Sequence, residues 1–237
     1  PYTTLFRSLG RPSGVVVDPR WDPTTFHTFM YVVDQRTNTI LVLDSRSFKV
    51  LSRLEGFVSP RDLSISTTTN RLNTTLWVTD FASNQLVGVD AQTWTVNFAG
   101  QPGSGSPCDQ IGDPRTSRVF IDVGRGPTGV AADSFLNSRV MVCNTFDNSV
   151  SLINVPQAKV ITDYEVGSTP VDCDWILYFF GGAQIAMVAN QGGLKDPEGS
   201  ISMFVGNTGR DGIENTFSDG VKNPATIYGQ QQWINGQ

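Results

Sequence analysis

The sequence predicts an all-β fold, a β-propeller of four-stranded antiparallel blades. One pattern recurs at residues 31–44, 76–90 and 140–154: an apolar strand, Asp or Asn, three residues, Asn, a second apolar strand and a closing Asp or Asn. A strand that begins with proline precedes each copy. The first Asp or Asn of these three copies falls at positions 34, 80 and 144, and Asn190 ends the corresponding strand of a fourth copy, so successive copies are 46, 64 and 46 residues apart. Four strands in about 45 residues are typical of one propeller blade.

The repeats divide the chain into blades in order. In the first blade, strands are predicted at residues 14–18, 28–34, 39–44 and 48–54. A fifth proline-led strand at residues 224–228 predicts the start of an unfinished blade, so four blades and a partial fifth are visible. All of them are assigned to a single propeller domain over residues 1–237. The predicted blades are 11–57, 58–98, 116–167, 168–220 and the partial 221–237.

A loop insertion at residues 99–115 explains the longer spacing of 64 residues. It is rich in Gly, Ser and Pro and has no hydrophobic pattern of its own. Long surface loops on a rigid scaffold often bind ligands, although many are simply tolerated. Its Gly-x-Gly pattern does not predict a phosphate site, because no helix follows to supply an N-terminus.

The repeat resembles a known family. Residues 140–167, together with 76–80, are similar to the YVTN-type repeat of surface-layer and lactonase-like propellers, and more loosely to NHL-type propellers. The resemblance covers residues 11–228 as architecture. It implies an extracellular or cell-surface protein, an expectation that the low charge and abundant Thr, Asn and Gly also favour. It implies no single function, because propellers host enzymes, binding modules and structural proteins alike.

Composition argues against two classes of partner. The formal net charge is −5, and Lys and Arg are scattered along the chain, whereas binding to phosphate backbones needs clustered cations. The longest apolar stretch, residues 175–180, is far shorter than the roughly 20 residues that span a bilayer. We therefore expect neither a nucleic-acid partner nor a membrane span.

The candidate site is one mouth of the central channel. In a propeller the first strands of the blades line the channel, so the residues just after each proline face one another. Here they include Arg61, Asp62 and Asp172. Two carboxylates could bind a cation, with calcium the candidate metal, or share a proton. They could equally be polar caps of a wet channel, and no other cofactor is expected.

Other chemistry-bearing residues are few. The only histidine, His27, lies in a loop, and transition-metal sites gather several His or Cys ligands, so a structural role is expected. Three cysteines permit one disulfide and one thiol, or no disulfide. Cys143 and Cys173 fall on neighbouring blades and could pair, while Cys108 is in the loop insertion. Asn73 is the Asn of the only Asn-x-Ser/Thr sequon, so it is a candidate glycosylation site.

The ends of the sequence bear on assembly. It begins without Met or a signal-like segment, which suggests a processed chain or a fragment. Four blades and one strand could be part of a larger propeller, could close through the N-terminal strand, or could be completed by another subunit. We favour the first of these, while the third fits self-assembly through exposed blade edges.

These observations predict a non-catalytic secreted or cell-surface propeller that acts as a structural interaction and assembly module. Its expected partners are other protein subunits, and carbohydrate is a further candidate through exposed Trp21, Trp94 and Trp233. The alternative is a lactonase-like or gluconolactonase-like metal-dependent hydrolase with its site at the channel mouth. It is weakened because all four glutamates lie at strand ends or in turns: Glu55, Glu165, Glu198 and Glu214.

Overall fold

The computed structural model describes residues 10–19, 28–67, 74–91, 118–133, 139–155, 157–177, 183–194, 197, 199–207 and 225–228. Across these residues there are sixteen β-strands and no helix, so the all-β prediction is confirmed. None of the described part contains a helix that could cross a membrane. The chain divides into two compact units, Pro1–Asp122 and Val123–Gln237. The single domain over residues 1–237 stays a prediction.

The first unit holds two antiparallel sheets, each a simple meander. The first sheet has β1 (Pro12–Val17), β2 (Phe29–Asp34), β3 (Thr39–Asp44) and β4 (Val50–Leu54). The second has β5 (Pro60–Thr67), β6 (Thr74–Asp80), β7 (Gln85–Asp90) and β8 (Arg118–Asp122). Each sheet is a predicted four-stranded blade.

The second unit repeats this plan. The third sheet has β9 (Pro127–Ala132), β10 (Arg139–Asn144), β11 (Ser149–Asn154) and β12 (Lys159–Glu165). The fourth has β13 (Pro170–Leu177), β14 (Ala183–Asn190), β15 (Ser200–Asn207) and β16 (Ala225–Tyr228). Strand order is sequential in both sheets.

Two blade boundaries differ from the prediction. Strand β8 pairs with β7 through Gln85 opposite Asp122, so it completes the second sheet, whereas the sequence placed residues 116–122 in the third blade. Strand β16 pairs with β15 through Ser200 opposite Tyr228, so residues 225–228 form the last strand of the fourth sheet and not the first strand of a partial fifth. In both cases the unpaired edge of the third strand forms hydrogen bonds with the next strand along the chain, although a long connection separates the two.

The recurring Asn has a backbone explanation. The residue immediately before each third strand adopts a left-handed conformation: φ is +54° at Asn38, +57° at Asn84, +51° at Asn148 and +71° at Gly199. Asn and Gly adopt this conformation at the lowest cost. In the first three sheets the recurring Asn is therefore the signature of one four-residue turn, and in the fourth sheet Gly199 supplies the same conformation at the end of a longer connection.

The ends of the first two strands are joined in the same way in all four sheets. The residue after the terminal Asp or Asn of the second strand donates its backbone N–H to the residue just before the proline. The four donor and acceptor pairs are Gln35 to Arg11, Phe81 to Ser59, Thr145 to Gly126 and Gln191 to Thr169, at 2.9–3.1 Å.

Each unit has its own apolar core. In the first unit, Tyr31 and Ile40 of the first sheet pack with Leu76 and Val78 of the second. In the second unit, the cluster joins Met141, Cys143 and Leu152 of the third sheet to Cys173, Val188 and Phe204 of the fourth.

Candidate functional site

The three predicted channel-mouth residues lie on first strands, as expected. Arg61 and Asp62 are on β5 of the first unit, and Asp172 is on β13 of the second. Asp62 and Asp172 therefore belong to different units, and each is described within its own. The structure brings Arg61 and Asp62 together only as neighbours along one strand.

Arg61 is held by an aromatic ring. Its guanidinium carbon lies 4.5 Å from the centre of the Phe81 ring, a cation–π contact. Its Nε is buried and has no hydrogen-bond partner among the described residues. The carbonyl oxygen of Arg61 accepts a hydrogen bond from the Ser13 hydroxyl at 2.5 Å, which ties β5 to β1. The side chain thus has a structural role within the first unit.

Asp62 and Asp172 each lie against a glycine of the neighbouring first strand. A Cβ added to Gly14 would come within 2.6 Å of Asp62 Oδ1, and one added to Gly129 within 2.6 Å of Asp172 Cα. Only glycine allows so close an approach. Both units therefore place a glycine strand beside an aspartate strand. Asp172 Oδ1 also accepts the backbone N–H of Cys173 at 2.9 Å.

Two further predictions concern metals and cysteines. Within the described ranges, no group of three or more His, Cys, Asp or Glu side chains is arranged to hold a metal ion. The disulfide between Cys143 and Cys173 is not formed: both side chains are buried as thiols, and Cys173 Sγ points to the Met141 carbonyl at 3.6 Å. The thiols fill the apolar core of the second unit, where small apolar side chains are favoured.

Several predicted positions lie outside the described residues. They are His27, Asn73, Cys108, Trp21, Trp94, Trp233, Glu198, Glu214 and the loop insertion 99–115.

The buried polar residues of the first unit act as carboxylate clamps. Asp80 Oδ2 accepts the N–H of Val58 at 2.8 Å, and its Oδ1 accepts the N–H of Ser59 at 2.5 Å. These donors come from the segment that leads into β5. The sequence identified Asp80 as the end of a strand but gave no sign of the bonds it makes, because they depend on which loop reaches it.

Asp34 makes the equivalent clamp in the first sheet. Its Oδ1 accepts the N–H of Arg11 at 3.0 Å and of Arg36 at 3.1 Å, and its Oδ2 accepts the N–H of Gly10 at 3.4 Å. Burial alone would raise the pKa of Asp34. The backbone N–H groups and the Thr37 hydroxyl outweigh it and hold that pKa below the ordinary 3.8.

The second unit uses amides instead. Asn144 Nδ2 donates to the hydroxyls of Ser149 at 3.1 Å and Ser151 at 2.9 Å. A Cβ at Gly124 would lie 2.6 Å from Asn144 Cγ, so the glycine of the Gly-x-x-Pro pattern leaves room for the amide.

Asn190 repeats the amide arrangement. Its Nδ2 donates to the hydroxyls of Ser200 at 3.2 Å and Ser202 at 3.0 Å, and a Cβ at Gly167 would lie 2.7 Å from that nitrogen. At the end of the second strand, the first unit therefore has Asp carboxylates that accept backbone N–H groups, whereas the second unit has Asn amides that donate to serine hydroxyls.

The first unit also contains a cavity that sequence reasoning missed. It has a volume of about 670 Å³ and is lined by the β2–β3 turn, the end of β4 and the connection to β5. Its charged lining residues are Asp34, Arg36, Arg53 and Glu55. No sequence signal marked it, because two arginines 17 positions apart, in a turn and on an outer strand, are ordinary surface residues.

Arg118 supports the connection beside this cavity. Its guanidinium carbon lies 4.5 Å from the centre of the Phe57 ring, and its Nη2 donates to the carbonyl oxygen of Glu55. Burial lowers the pKa of Arg118, while the nearby charge of Asp80 raises it in part. The strand that completes the second sheet thus also fixes the residues that line the cavity.

Comparison with known proteins agrees with the fold. No protein-family model and no curated protein matches the sequence. Among solved structures, the chain is similar to Kuenenia stuttgartiensis hydrazine synthase, with a TM-score of 0.57 and 16% identity over 83% of this chain and 46% of that one. It is also similar to BBS1N in complex with ARL6DN, with a TM-score of 0.53 and 9% identity over 80% of this chain and 50% of that one.

The chain spans about half the length of these two proteins. Both contain β-propellers, and at such low identity the likeness concerns architecture alone. The four antiparallel meanders and these two likenesses together show that the chain has a β-propeller fold.

Proposed function

We propose that this chain is a non-catalytic secreted or cell-surface β-propeller that serves as a protein interaction and assembly module of the YVTN type. The observation that carries the proposal is an apolar face of the first sheet, which we call the first-sheet face. Its members are two rows of cross-strand neighbours: Val15, Val32, Leu41 and Arg53, and Val17, Met30, Leu43 and Val50.

The face is exposed at one end. Leu41 and Leu43 on the third strand are buried, whereas Val15 is 61% exposed and Val17 is 50% exposed on β1. Apolar side chains that lie side by side at a surface are typical of contact sites for other proteins. Burying the remaining surface of two half-exposed valines would contribute roughly 1 kcal/mol each.

The partner with a matching surface is another copy of the same chain. A second molecule carries the same half-exposed valines, and two identical apolar surfaces can be buried against each other in a symmetric contact. We therefore propose a second copy of this chain as the partner, seated against the first-sheet face.

Sedimentation of the protein over a range of concentrations tests the proposal. Wild type should associate as concentration rises, and the double variant Val15→Thr, Val17→Thr should stay monomeric, because Thr keeps the β-branched shape but not the apolar surface. The matched control is Ile161→Thr, at a 42% exposed position on outer strand β12, which should associate like wild type. Equal association in all three proteins would contradict the proposal.

The hydrolase alternative predicts a different result. A metal-dependent enzyme that uses Asp62 and Asp172 should be stabilised by calcium and destabilised by EDTA in a thermal-shift experiment, and it should hydrolyse lactones. The assembly module should show neither effect. Calcium-dependent lactone hydrolysis that is lost in Asp62→Asn would replace the proposal with the enzyme.

A further inference from the structure

We infer that the cavity of the first unit is a binding site for a small organic polyanion, one that carries carboxylate or phosphate oxygens. The inference goes beyond the assembly function: Arg53 also belongs to the first-sheet face, but Arg36 does not, and the test below measures ligand binding rather than association. Its volume of about 670 Å³ falls within the roughly 300–1,000 Å³ of small-molecule sites.

The four charged residues of the cavity are two acids and two arginines, so what distinguishes them is which hydrogen-bonding groups are still available. The buried Asp34 carboxylate already accepts the N–H groups of Gly10, Arg11 and Arg36. The guanidinium groups of Arg36 and Arg53, in contrast, have no hydrogen bond or ion pair to any residue that the structure describes. Both line the cavity from exposed positions.

Two unpaired guanidinium groups at one cavity favour an anion with more than one acidic group. A guanidinium is permanently charged, and its fork of N–H donors matches the paired oxygens of a carboxylate or phosphate. An anion with two acidic groups would pair with both guanidinium groups at once. A single carboxylate would satisfy only one of the two forks.

The backbone positions of both arginines are fixed by the fold. The backbone N–H of Arg36 is held by Asp34, and a Cβ at Gly10 would come within 2.5 Å of the Arg36 stem, so glycine is needed beside it. Arg53 is paired with Leu41 in the sheet. A ligand that bridges them would therefore not have to order a loop, which lowers the entropic cost of binding.

Glu55 adds an acceptor to the site. Its backbone carbonyl is taken by Arg118, but its side chain is exposed at the cavity. A carboxylate in this place accepts a hydrogen bond from a ligand hydroxyl, and a third carboxylate of the ligand would point to solvent. The preferred ligand is therefore a polyanion that also carries a hydroxyl group, and citrate has this chemistry.

Isothermal titration calorimetry of the whole chain tests the inference, with citrate and inorganic phosphate as separate probes and glycerol as the uncharged control. We expect citrate or phosphate to bind, glycerol not to bind, and each of Arg36→Gln and Arg53→Gln to weaken binding at least about tenfold. Arg46→Gln is the matched control, because it removes the same charge from the β3–β4 turn, at the opposite end of the first sheet. Its affinity should stay within about twofold of wild type.

The two probes separate the two kinds of ligand. Tighter binding of citrate supports a polycarboxylate, and tighter binding of phosphate supports a phosphoryl group. The inference is overturned if neither anion binds, or if Arg46→Gln weakens binding as much as the two cavity variants, because the effect would then be one of overall charge.

Discussion

Replacing Asp80 by Asn should destabilise the first unit although the two side chains have the same shape. Both carboxylate oxygens of Asp80 are used: one accepts the N–H of Val58 and the other the N–H of Ser59. Asn offers only one acceptor, so its NH₂ group would face a backbone donor. The Asp80 carboxylate also attracts the Arg118 guanidinium, and the neutral Asn side chain would lose that electrostatic attraction.

The expected cost follows from these bonds. One backbone donor left without a partner in a partly buried place costs about 1–3 kcal/mol, and replacing a charged acceptor by a neutral one at the other costs about 1 kcal/mol more. The sum is about 2–4 kcal/mol. In a chain of this size it corresponds to a fall in Tm of roughly 5–15 °C.

Asp122→Asn in the same sheet is the matched control. Among the described residues, Asp122 accepts one hydrogen bond, on Oδ1, from the Gln85 side-chain amide at 2.9 Å. The single oxygen of Asn can accept that bond, so we expect the free energy of unfolding to change by less than about 1 kcal/mol. Calorimetric unfolding of wild type and both variants measures the difference. If Asp80→Asn costs no more than Asp122→Asn, the two-oxygen clamp is not what stabilises this segment.

Three further predictions concern acid stability, backbone strain and packing. Because the pKa of Asp34 is lowered on folding, its contribution should be fully present above pH 3.8 and lost as the pH falls through the folded pKa. The difference in unfolding free energy between wild type and Asp34→Asn should therefore be smaller at pH 3 than at pH 6, and a constant difference would contradict this. Thr169 has φ of +58°, a strained value for a β-branched residue, so Thr169→Gly should raise the free energy of unfolding by about 0.5–1 kcal/mol. Thr162→Gly, in the middle of a strand, should lower it by a similar amount. Urea unfolding measures both changes. Gly124→Ala should destabilise by about 1–3 kcal/mol, because its Cβ would overlap the Asn144 amide, and retention of full stability in the same assay would show that the amide can move aside.

The strand pattern of the first blade was predictable because it depends on local chemistry. The second, third and fourth strands of the first sheet match the predicted positions within two residues. The recurring Asn38 and Asn84 mark turns whose backbone requires a residue tolerant of positive φ. Such signals lie within a few residues of one another, so they can be read from the sequence alone.

The membership of β8 and β16 could not be predicted in the same way. Each is separated from its partner strand by a long connection. No local signal in the sequence shows which sheet edge such a strand will pair with. The predicted strand positions were close, but their assignment to the next blade was wrong.

The candidate site illustrates a second limit. The sequence selected Arg61 and Asp62 because they follow a proline at the start of a strand. In the structure, Arg61 makes a cation–π contact with Phe81, and Asp62 packs against Gly14. The unpaired guanidinium groups lie instead on Arg36 and Arg53, which share a cavity only after the sheet has formed. Spacing along a chain identifies polar residues, but which of them remain available depends on what the folded neighbours have already bound.

The glycine strand beside the aspartate strand has a consequence for how such a chain can be extended. Within the first unit Gly14 lies against Asp62, and within the second unit Gly129 lies against Asp172. Duplicating one sheet of a unit alone would set two aspartate strands, or two glycine strands, side by side and leave a clash or a void. Copying both sheets of a unit keeps each glycine against its aspartate, so the pair, and not the single sheet, is the block whose internal packing survives duplication.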